Sequence, residues 1–99
     1  MKEKVVAELS IVPLGTATPA LSRYVAACLE PLKSAPDVRY QVTPMGTVVE
    51  GPLERVLELA GQMHQVPFSL GAQRVLTHIK IDDRRDRLQT MEEKVAAVR

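Results

Sequence analysis

The chain has 99 residues, enough for a single domain spanning 1–99 with one core, which excludes a multidomain machine. Hydrophobic residues make up 45% of it, but with one Phe, two Tyr and no Trp the core has to be packed from Val, Leu, Ile, Ala and Met. Thirteen Lys and Arg against twelve Asp and Glu leave a formal charge of +1, too balanced for the electrostatic attraction that dominates nucleic-acid binding.

Residues Lys4 to Leu14 alternate, with Val5, Ala7, Leu9 and Ile11 on one side and Val6, Glu8, Ser10 and Val12 on the other, the period of a strand. Thr18 can cap a helix, and Pro19 suits its first position. Leu21, Val25, Cys28, Leu29 and Leu32 then form one apolar helical face, which Pro31 kinks or ends. Val38 to Thr43 alternates again, Pro44-Met45-Gly46 interrupts it, and Thr47 to Glu50 resumes an extended pattern, so these two strands are expected as a hairpin or a bent ribbon. Gly51-Pro52 is expected to open a second helix carrying Leu53, Val56, Leu57, Ala60 and Met63 and ending before Pro67. Ala72 to Asp82 is the fourth strand, and Leu88, Met91, Val95 and Val98 mark a terminal helix that follows an already complete sandwich and is expected to serve assembly. The order predicts an α+β, ferredoxin-like βαββαβ sandwich with an additional C-terminal helix and one open sheet face.

The lone Cys28 cannot make an intrachain disulfide, no Cys/His spacing suits zinc, and no apolar run approaches the ~18 residues of a membrane helix. Cytoplasmic location, no metal and no membrane partner are the resulting expectations. Motifs for a hydrolase elbow, a phosphate loop or a dinucleotide site are missing, so no enzyme activity is expected. The run Lys80 to Arg87 mixes both signs and reads as a self-neutralising turn. Period-2 geometry collects Glu8, Ser10, Gln41, Thr43, Glu50, His78 and Lys80 on the open face, interleaved with Val6, Val12, Val48 and Leu76, a mixture suited to a covered surface. Glu8 and Lys80 are candidates for a cross-strand ion pair there, and Lys80 is also the expected partner of Glu50.

Six segments in register resemble the thiamine-binding, YkoF-like family: Ile11-Val12-Pro13-Leu14-Gly15, Tyr24-Val25-Ala26, Pro44-Met45-Gly46-Thr47, Val49-Glu50-Gly51, Gly71-Ala72-Gln73-Arg74-Val75 and Lys80-Ile81-Asp82-Asp83-Arg84. The resemblance implies non-catalytic binding of thiamine or its hydroxymethylpyrimidine portion as a bound ligand with no cofactor required, and self-association through the sheets to a dimer or tetramer. By motif it implies Ser10, Met45, Gly46, Thr47, Glu50 and Lys80 as ligand-facing. Family members often carry a serine where this chain has Ala20. Residue chemistry leaves a second class open, a regulatory protein-interaction module of the same fold whose small-molecule ligand is not thiamine.

Overall fold

The computed structural model describes residues 4–15, 22–87 and 89–99. The proposed Thr18 cap, Pro19, Ala20, Leu21 and Leu88 lie outside them. In chain order the elements are β1 (Lys4–Leu14), α1 (Ser22–Cys28), α2 (Glu30–Lys33), β2 (Arg39–Thr43), β3 (Gly46–Pro52), α3 (Leu53–Ser69), β4 (Arg74–Asp82) and α4 (Met91–Ala96). The four strands make one antiparallel sheet in the order β2-β3-β1-β4, the ferredoxin-like arrangement that the sequence predicts.

Register fixes the two faces. Leu9 pairs with Thr47 and Ile79, and Ala7 with Val49 and Ile81, so these residues share the helix side. Val6, lying between Glu50 and Asp82, belongs to the open side with Glu8, Val48 and Lys80. The core is Val5, Ala7, Leu9 and Val49 from the sheet against Leu32, Val56, Leu59, Ala60 and Met63 from the helices. Val42, Ile79 and Ile81 face the helix side yet are well exposed, because they stand on the two edge strands, which the helix layer covers only in part.

Three sequence expectations need correction. Around Pro31 the chain forms two short helices, and α1 buries Tyr24 and Cys28 while Val25 is left exposed. Gly51 and Pro52 end β3 instead of opening the helix, with Pro52 in extended backbone at the N-cap of α3. Gly51 sits against β2's approach, where a Cβ would come within 2.6 Å of Val38 Cγ1. The second helix also runs through Pro67 to Ser69. A proline there cannot donate to the carbonyl four residues back, that of Met63, but the Cys28 thiol supplies the missing donor at 3.5 Å. Burial of Cys28 raises its pKa, which keeps the thiol protonated for that role.

The terminal helix is shorter than its apolar pattern suggests, and it crosses the open face of its own sheet. It is capped by Thr90, whose hydroxyl accepts from Glu93 N, and is anchored by buried Met91. Glu92 pairs with Arg39 on β2, and Lys94 pairs with Asp82 on β4, so the helix bridges both sheet edges.

Gly46 fixes where β3 starts: a Cβ there would lie 2.7 Å from the Leu9 carbonyl oxygen, a backbone atom that cannot turn aside. Gly46→Ala is therefore expected to destabilise the fold by ~1–3 kcal/mol, read from urea unfolding.

Candidate functional site

Pairing between β1 and β3 ends at Leu9 and Thr47, whereas pairing between β1 and β4 continues to Leu14 and Arg74. The second half of β1 consequently has a free edge beside the β2-β3 turn. That turn is tightened by Thr43, whose hydroxyl donates to Gly46 O at 2.9 Å and accepts from Met45 N at 3.3 Å. Since the Leu9 carbonyl points toward Gly46, strand alternation turns the Ile11 amide and carbonyl to the same side, past the end of β3. Pro13 follows on that side and has no N–H to leave unpaired.

Between this edge, the turn and α1 lies a notch of about 210 Å³. Ser10, Met45, Gly46 and Thr47, four of the residues implied by the resemblance, line it together with Val12 and Val25. Thr47 is buried on the helix side, yet its hydroxyl makes no hydrogen bond among the described residues. Met45 is almost fully exposed at the turn. The Ser10 side chain shares the open face with His78. Gly46 makes its close approach to Leu9, not to open space, so its first requirement is structural.

Glu50 and Lys80 are outside the notch. The Glu50 side chain is 2% exposed and accepts from Arg39 Nη1 at 3.0 Å, while Arg39 Nη2 donates to Glu92 at 2.8 Å. Glu92 first, and then Glu50, hold the Arg39 guanidinium further into its charged form. The expected Glu50–Lys80 contact does not form, because Glu50 and Lys80 occupy different cross-strand rows. Lys80 stands opposite Glu8, as anticipated, but among the described residues the two make no ion pair. Lys80 instead borders a hollow of about 660 Å³ on the open face, floored by Val6 and Val48 and roofed by Met91 and Val95.

Arg39 was not among the sequence candidates. Its alternation with Gln41 and Thr43 places it on the open face, but only the hairpin register puts it opposite Glu50. His64 is occupied by Thr77 Oγ1 at 2.7 Å, and the charged turn does neutralise itself: Arg85 lowers the pKa of Asp83 and Arg84 that of Asp86. Among the described residues no group of three or more His, Cys, Asp or Glu is placed to hold a metal ion. Among them, too, no helix is long and apolar enough to cross a membrane.

Residues 7–99 match the family described as "Thiamine-binding protein". The chain belongs to that family. It is 42% identical over 96 residues to the UPF0045 protein YqgV of Bacillus subtilis, covering 94% of this chain and 92% of YqgV. Among solved structures, MJ1052 from Methanocaldococcus jannaschii superimposes with a TM-score of 0.87 at 38% identity, covering 97% of this chain and 96% of that one. A Thermotoga maritima protein, TM0486, named for a proposed part in thiamine biosynthesis or salvage, matches with a TM-score of 0.77 at 26% identity over 97% of this chain and 99% of its own. Membership in a binding-protein family agrees with a site made of a notch and hydrogen-bonding groups.

The Arg39–Glu50 contact makes a prediction. Arg39→Met leaves Glu50 with an uncompensated buried charge, so the variant unfolds at lower urea than the wild type at pH 7. Urea midpoints of the two proteins check the sign.

Proposed function

We propose that this thiamine-binding family member binds thiamine or its hydroxymethylpyrimidine portion in the notch, without catalysis, as a homo-oligomer. The observation that carries this reading is Thr47, a residue largely buried in the sheet that lines the notch and whose hydroxyl, still reachable there, makes no hydrogen bond among the described residues. A hydroxyl both donates and accepts, which suits the ring nitrogens and exocyclic amine of an aminopyrimidine. The Ile11 amide and carbonyl offer the same pair of functions from the strand edge. Val12, Val25 and Met45 supply apolar walls, and a methionine sulfur packs favourably on an aromatic ring. At about 210 Å³ the notch is below the ~300–1,000 Å³ usual for drug-sized ligands, so it suits one ring better than a two-ring molecule. This favours the pyrimidine portion as the part held inside. Ser10, Met45, Gly46 and Thr47 form the site, and Glu50 and Lys80 serve the open face.

The open face supports the second reading, a regulatory module that docks a protein. Its hollow of about 660 Å³ has an apolar floor under a six-residue helix held by one buried methionine and two surface ion pairs. Calorimetric titration separates the two. Hydroxymethylpyrimidine and thiamine are expected to bind the wild type, and Thr47→Val to weaken both about tenfold, the loss of one hydrogen bond of ~1.4 kcal/mol, while Glu50→Gln leaves affinity unchanged. Binding lost in Glu50→Gln but kept in Thr47→Val moves the site to the open face. No binding to the wild type leaves the docking module as the reading that stands.

A further inference from the structure

Three of the four methionines lie among the described residues, in very different surroundings. Met63 is 2% exposed and Met91 8%, both in packed positions, whereas Met45 at the tip of the β2-β3 turn is 82% exposed. Accessibility decides which thioether meets a dissolved oxidant, so among the described residues Met45 is the sulfur that reacts first. Cys28 does not compete with it. That thiol is buried, donates to the Met63 carbonyl and has its pKa raised by burial, so it holds little of the thiolate that peroxides attack.

The position of Met45 gives its oxidation a consequence. It lines the notch with Val12, Val25 and Thr47, and among the described residues no Asp, Glu, Lys, Arg or His shares that lining. A sulfoxide places a strong hydrogen-bond acceptor in this uncharged wall and removes the soft apolar surface that packs on a ring. The turn itself is held by the Thr43 hydroxyl on Gly46 O and the Met45 amide, and by Gly46 against the Leu9 carbonyl. None of these contacts uses the thioether, so the turn keeps its shape when the sulfur changes.

We infer that Met45 is a peroxide-modified site that gates the notch, its sulfoxide turning inward to take the Thr47 hydroxyl that a bound ring would otherwise use. The gate rests on the ligand reading above and specifies how that site is regulated. Its chemistry needs a hydroperoxide. The Met45 sulfur attacks the terminal peroxide oxygen, the S–O bond forms as the O–O bond breaks, and the departing hydroxide or alkoxide takes the proton of the transferred OH. The products are the sulfoxide and water or an alcohol, with two electrons passed from sulfur to peroxide. Met45 and Thr47 are two residues apart where β3 begins, ~7 Å along an extended chain, and both line the notch, so a flexible methionine side chain brings its new oxygen within reach of the hydroxyl. That hydroxyl makes no hydrogen bond among the described residues and is free to donate. A methionine sulfoxide reductase reverses the step, the oxygen leaving as water while two thiols become a disulfide.

The test treats the full chain with limiting hydrogen peroxide and maps the added oxygen by mass spectrometry of its peptides. Met45 is expected to gain oxygen before Met63 or Met91, and saturating hydroxymethylpyrimidine to slow that gain. Calorimetric titration of the oxidised protein with the same compound should show about five- to tenfold weaker binding, restored by methionine sulfoxide reductase. Met45→Leu, measured against its own untreated affinity, should lose nothing to peroxide. Thr47→Val should lose less than the wild type, since the sulfoxide then has no hydroxyl to take. Earlier oxidation of Met63 or Met91 overturns Met45 as the site. Undiminished binding by the oxidised protein, or a loss accompanied by an altered circular dichroism spectrum, overturns the gate, and an equal loss in Thr47→Val overturns the Thr47 contact. An untreated wild type that does not bind the compound overturns the ligand reading and the gate with it, while the order of methionine oxidation still decides the modification site by itself.

Discussion

The close approach of Gly46 to the Leu9 carbonyl sets the parity of the whole sheet. It makes Leu9 and Thr47 a bonded pair and stops β3 there, leaving the rest of β1 without a partner on that side. From this one contact follow the burial of Thr47 on the helix side, the notch beside Ile11 and Pro13, and the outward direction of the odd-numbered amides of β4. Any side chain at position 46 has to push the hairpin away from β1, and each of these features moves with it.

The second constraint is electrostatic. Glu50 lies in the middle of the open face with almost no solvent access, a position that is tolerable for a carboxylate only with a cationic partner and a hydrogen bond. Arg39 provides both and uses its other nitrogen to hold Glu92. The terminal helix thus lies over the pair that needs shielding, and its own grip on the sheet comes largely from that pair, from Met91 and from Lys94 on Asp82. Exposed ion pairs contribute little each, so α4 is the element most easily lifted.

Much of this was legible in the sequence because alternation and helical spacing report faces directly. The β1 boundaries, the two-faced sheet, the hairpin and the break at Pro31 all come from such periods. What was not legible depends on contacts between segments distant in sequence. Pro67 stays inside α3 because Cys28 reaches its orphaned carbonyl acceptor, a relation spanning 35 positions. The site residues divided for the same reason: the motif spacing that grouped Thr47 with Glu50 ignores that an odd offset along a strand sends the two side chains to opposite faces. Arg39 was invisible as a site-shaping residue until the hairpin register set it opposite Glu50.

The same parity keeps the notch and the outer edge of the sheet apart. The notch opens on the β3 side of β1, and the free strand edge lies beyond β4, on the other side of β1. The notch is bounded instead by α1 and the β2-β3 turn, and β4 contributes nothing to its lining. A site shaped by the end of one ladder needs that ladder held firmly, and β1 is paired on its other side along nearly its whole length. The unbroken β1-β4 ladder therefore backs the notch and holds its floor in place, while its mouth stays open beside the β2-β3 turn.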